Sequence, residues 1–194
     1  MVFRRTHAQT TAVLAKLSNH ELQILAALAY ARAGEPLRAG QLADKLQSRF
    51  PLDTALNRYW LPCIRSGVEL NARDPVKAIE ILKVASAYEL GNPLPQAEMG
   101  AFLYPVYLRG QAYVQLRQGK EAEEEFRKFL DHRGITFNSV LGPLAYLGIA
   151  RAYRLQGDSV KARAAYHYFL TIWKDADPDI PILKEAEVEY AKLQ

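Results

Sequence analysis

The chain has 194 residues, 49% apolar and 24% charged, with a formal net charge of +4. That is enough apolar side chain for one sizeable core or a short stack of repeated units. One cysteine, Cys63, excludes an internal disulfide, and no run of about 18 uncharged apolar residues is present to span a membrane.

The opening MVFRRTHAQTT carries two arginines but no apolar stretch behind them, so no signal peptide is read there and a cytoplasmic location is the expectation. A short helix over TTAVLAKL is predicted next, as a cover for one end of a stack. Ser18 to Glu21 has capping-box spacing and opens the helix ELQILAALAYARAG, which ends at Gly34. Pro36 starts a second helix, which stops at Pro51. Asp53 or Thr54 opens TALNRYWLPCIRSGVELN, where Pro62 predicts a kink or a late helix start. Asp74-Pro75 is an N-cap and first-turn pair for VKAIEILKVASAY.

Gly91 to Pro95 breaks the chain. Two further hairpins follow, YPVYLRGQAYVQLRQGKEAEEEFRKFLDHRG and AYLGIARAYRLQGDSVKARAAYHYFLTIW, joined by a link in which Asn138 or Ser139 is the expected cap. An amphipathic helix over 181–194 is predicted to cover the far end. No stretch alternates as a half-buried strand does, so the chain reads as all-α and as one domain over 1–194. Its repeats fall at 20–53, 54–92, 98–134 and 138–174.

The four hairpins share a register. An anchor precedes a small residue by nine positions in Tyr30/Ala39, Glu69/Ala78, Tyr113/Ala122 and Tyr153/Ala162. Three residues before each anchor stands Ala27, Ser66, Gly110 or Ala150, and four after each alanine stands Ala43, Leu82, Phe126 or Tyr166. Small side chains at a helix crossing with a large one beside them are what close antiparallel packing needs.

This register resembles the tetratricopeptide repeat (TPR) over about residues 20–174. Glu69 departs from the aromatic anchor, and the steps of 39, 44 and 40 residues between the alanines exceed the usual TPR period. The resemblance implies a TPR-type superhelix of four hairpins with capping helices at both ends. The wording YPVYLRGQAY, FLDHRGI and LTIWKDADPDIPILKEAEVEYAKLQ is similar to the C-terminal TPR region of bacterial eukaryotic-like serine/threonine kinases and related signalling proteins. No kinase motif is present, so the resemblance implies a sensor or docking module, either part of a larger protein or a stand-alone relative.

On that resemblance the first helices line a concave groove, with Arg32, Asn71, Tyr104, Tyr107, Gln111, Gln115, Arg151 and Arg154 directed into it. Tyrosines offer apolar contact, amides pair with an extended backbone and arginines hold an anionic group. The same side chains also read as the polar face of amphipathic helices. The inner positions Ile24, Leu28, Cys63 and Gly67 do not make the two-lysine, two-asparagine clamp of some TPR grooves.

Other constellations read as structural. Asp175, Asp177 and Asp179 alternate as in a calcium loop, but Ile180 and Ala186 stand where a glycine and a glutamate are needed. His7, His20, His132, His167 and Cys63 lack metal-ligand spacing, so neither metal nor cofactor is expected. The acidic run from Glu121 to Glu125 reads as a solvated helix start. A non-catalytic module that docks a peptide or partner protein is therefore the first expectation. Homo-oligomerisation through apolar residues such as Ile182 and Leu183 is the alternative, and RNA binding ranks lower because acids and bases are interleaved.

Overall fold

The computed structural model describes residues 20–91, 103–136 and 139–193. The expected helix over TTAVLAKL, the Ser18 cap, Asn138 and all but the first residue of the 91–95 break lie outside them. Among the described residues there are ten α-helices and no strand. They are α1 (His20–Arg32), α2 (Pro36–Arg49), α3 (Leu61–Asn71), α4 (Pro75–Leu82), α5 (Tyr104–Gln115), α6 (Gly119–Asp131), α7 (Arg133–Thr136), α8 (Leu141–Leu155), α9 (Ser159–Ile172) and α10 (Pro181–Ala191).

Two compact units divide the chain, Met1–Tyr88 and Glu89–Gln194. In the first, α1 packs on α2, α3 packs on both of them, and α4 packs on α3. In the second, α5 packs on α6, α8 lies against both, α9 packs on α8, and α10 packs on α9. Each hairpin within a unit is thus seated on the one before it.

The shared register has a backbone cause. In each hairpin the anchor's carbonyl accepts an N–H from five residues on: Glu35 to Tyr30 (2.9 Å), Asp74 to Glu69 (2.9 Å), Gln118 to Tyr113 (2.9 Å) and Asp158 to Tyr153 (3.0 Å). That bond demands a left-handed residue just before the turn ends. The positions are Gly34 (φ +74°), Arg73 (+62°), Arg117 (+59°) and Gly157 (+79°), each five residues ahead of the small residue. The small residues themselves, Ala39, Ala78, Ala122 and Ala162, are fully buried, as are Ala43, Leu82, Phe126 and Tyr166 one turn later.

Glu69 fits the same scheme by different chemistry. Eight residues after the anchor, Arg38 lies over the Tyr30 ring at 5.7 Å and Lys161 over the Tyr153 ring at 5.4 Å. In the second hairpin Lys77 occupies that place and pairs with the Glu69 carboxylate at 2.8 Å. An ion pair replaces a cation–π contact, and the second helix is tethered either way.

Local caps follow the sequence. The Lys77 N–H donates to Asp74 Oδ1 (3.0 Å), and the Leu56 N–H donates to Asp53 Oδ1 (2.9 Å). The Pro62 segment is not a late start: the backbone is helical from Thr54, and a π-helical turn over Leu56–Trp60 runs directly into α3, whose second residue is Pro62, so the widened turn takes up the proline within a continuous helix. Phe126 of α6 is wedged between α5 and α8. A methyl group on Gly110 would stand 2.7 Å from its ring, and one on Gly148 would stand 2.5 Å from it.

Gly148→Ala is therefore expected to cost about 1–3 kcal/mol in urea unfolding, as overpacking does. Adding Phe126→Leu should cost less than the two single changes summed. Gly157→Val meets no neighbour but is strained by its left-handed backbone, at about 1–2 kcal/mol, whereas Arg117→Gly should be neutral or stabilising by up to about 1 kcal/mol.

Candidate functional site

A cavity of about 270 Å³ opens between α1 and α2. Gln23, Ala26 and Tyr30 recur along one face of α1 and form one wall; Arg38, Gln41, Leu42 and Lys45 recur along α2 and form the other. Gln23, Ala26 and Tyr30 are buried, so the first wall is packed and mostly apolar. Arg38, Gln41 and Lys45 are exposed at the second. Glu35 holds the Arg38 guanidinium at 2.8 Å above the Tyr30 ring, which fixes one cation at the mouth. The cavity thus sets an apolar floor beside amides and cations.

The residues expected in the groove are placed differently from one another. Asn71 is spent within the first unit: its side-chain N–H donates to the Ala31 carbonyl at the end of α1 and to Gly67 O (3.2 Å), tying α3 to α1. Tyr104 and Tyr107 are buried, with 6% and 4% of their surface exposed. The Tyr107 ring meets Phe126 and Phe129 edge-on at 5.9 and 6.4 Å, and its hydroxyl accepts from Gln111 Nε2 (3.1 Å). These tyrosines are packing residues of the second unit. Gln111 and Gln115 are half-buried, and Arg32 and Arg154 are exposed.

Arg151 is engaged by the last helix. Its Nε donates to Glu189 Oε2 (2.9 Å) and its Nη2 to Glu185 Oε2 (3.3 Å), carboxylates one turn apart on α10. The Tyr166 hydroxyl donates to the same Glu189 oxygen at 2.7 Å. Burial works to raise the Glu189 carboxyl, but Arg151, Tyr166 and Arg154 together hold it below the usual carboxylate range. Burial, and then the bond to Glu189, push the Tyr166 phenol above its ordinary value. Leu183, expected as an exposed pairing residue, is buried, and Ile182 is half-buried, because α10 turns that face onto the hairpin.

A buried charge cluster lies where the sequence had suggested solvated acids. Arg109 of α5 donates to Glu89 Oε2 (2.7 Å) and Glu125 Oε2 (2.8 Å), and Lys128 reaches both acids at 3.4 and 3.2 Å. The guanidinium is 8% exposed, and each carboxylate 12%. Burial alone would lower the Arg109 pKa, but the two carboxylates raise it on balance. Glu123 in the same run accepts from Arg127 (2.8 Å) and Gln156 (2.9 Å). The available signal was Arg109, a lone charge amid the apolar YPVYL-GQAYV of α5.

Among the described residues no group of three or more His, Cys, Asp or Glu is placed to hold a metal ion, and no helix is long and apolar enough to cross a membrane. No family model, curated protein or solved structure matches the chain.

The lowered Glu189 carboxyl makes the seating of α10 depend on pH. A carboxyl with a depressed folded-state pKa stabilises above its unfolded value near 4.5, and that contribution is lost as pH falls through the folded-state value. Protection of α10 against hydrogen exchange, taken relative to the intrinsic rate, should therefore fall on acidification below about pH 4.5 more than that of α8, and Glu189→Gln should flatten the difference.

Proposed function

We propose that this chain is a TPR-like helical-repeat module that docks a peptide or partner protein without chemistry, in the service of a bacterial signalling protein. The observation that carries the reading is the recurrence of one turn bond, one left-handed position and one buried alanine in all four hairpins. A chain that repeats one hairpin so strictly is building a surface from it, and the usual work of such a surface is recognition. The α1–α2 cavity supplies a place for that work. Its apolar floor takes an aliphatic or aromatic side chain, its amides pair with backbone, and Lys45 attracts an acidic segment beside an Arg38 already paired with Glu35. The kinase-associated part of the reading rests on the resemblance of residues 104–194 alone.

A displayed peptide library screened against the full chain tests this. Acidic, amphipathic peptides are expected to be enriched, and Gln41→Glu with Lys45→Glu should weaken them at least about tenfold while far-UV circular dichroism is unchanged. Unaltered binding by the double variant would remove the cavity from the proposal. Turnover of a substrate by the purified chain would remove the proposal itself.

A further inference from the structure

The last helix is anchored differently from the helices it follows. Two of its eleven residues, Leu183 and Ala186, are buried, against eight of fifteen in α8 and four of fourteen in α9. Ile182 is half-buried besides, and much of the remaining attachment is polar: Glu185 and Glu189 on Arg151, the Tyr166 hydroxyl on Glu189, and Arg163 Nη2 on the Leu193 carbonyl (2.9 Å). The Tyr190 ring adds a tilted contact with Tyr166 at 6.3 Å. An element with so little apolar burial opens at lower cost than the hairpin beneath it. When it opens, it leaves a ready-made receptor of one guanidinium, one phenol and a small apolar seat.

We propose that this face of α8 and α9 is a docking site for an acidic amphipathic helix of a partner protein, held shut in cis by α10. The chemistry of the seated helix defines the occupant. It needs two carboxylates one turn apart, for Arg151 and Tyr166. An aliphatic residue two positions before the first acid and a small residue just after it take the places of Leu183 and Ala186. Arg154 adds positive potential beside the Glu189 carboxylate and favours the same charge. A competing helix of this pattern would displace α10, so binding would be coupled to release of the C-terminal segment. Only the identity of the occupant as a protein rests on the docking reading above. The residues are distinct from those of the α1–α2 cavity, so failure of either site leaves the other standing.

The test uses the full chain and a fluorescein-labelled synthetic peptide of residues 179–193. Glu185→Gln with Glu189→Gln in the chain loosens its own helix, and fluorescence anisotropy then reads peptide binding in trans. Binding at least about tenfold tighter than to the wild-type chain is expected, with loss of binding when the peptide carries the same two glutamines. Arg151→Gln in the receptor should abolish it with the helical signal retained. Equal binding of native and glutamine peptides, or no binding to the loosened chain, would overturn the proposal. Hydrogen exchange on the unmodified chain gives a check free of variants. The α10 amides should exchange at least about tenfold faster than those of α8, and 1 M salt should accelerate α10 more than α8. Protection of α10 equal to that of α8 would also overturn it.

Discussion

One backbone hydrogen bond recurs in every hairpin, from the N–H that begins the second helix back to the anchor carbonyl of the first. It fixes the reversal of the chain within a few residues. The position of the buried alanine follows from it, because Ala39, Ala78, Ala122 and Ala162 each begin their helix by donating to the residue that closed the turn. Close approach of the two helices follows from the alanine in turn. A large side chain at that place would hold the helices apart, and the rings and aliphatic groups one turn later would lose their contacts.

The two units use this frame with different fillings. In the first, side chains at the interface of its hairpins are small, with Gly67 against Ala31, and Asn71 fastens the seam with a side-chain bond to backbone. In the second, a phenyl ring does the work: Phe126 fits because Gly110 and Gly148 give it room on both sides. Small residues on two helices and one ring on a third are a single device, and none of the three can be altered alone without a gap or a clash.

Most of this was legible in the amino-acid order. The nine-residue spacing, the caps at Asp53 and Asp74, and the burial of Ala27, Ser66 and Ala150 are local consequences of helix geometry, and periodicity reports them. What escaped is what depends on distant partners. Glu125 sits in an acidic run that looks solvated from its neighbours, yet Arg109, sixteen residues away, reaches it. Tyr107 and Arg151 lie on first helices as expected, but Phe126 and Phe129 enclose the one and the last helix holds the other. Helical spacing assigns a residue to a face. It does not tell what later part of the chain will cover that face.

The Arg109 cluster joins three stretches of the chain: Glu89 near the head of the second unit, Arg109 on α5, and Glu125 with Lys128 on α6. Removing Arg109 leaves two scarcely hydrated acids with only the half-exposed Lys128 to answer them, a penalty of up to about 3–5 kcal/mol, whereas exchanging the buried members together for aliphatic groups of similar bulk can be harmless. The guanidinium and its two acids therefore tolerate joint replacement better than single loss, with the lysine on the neighbouring helix as a partial stand-in.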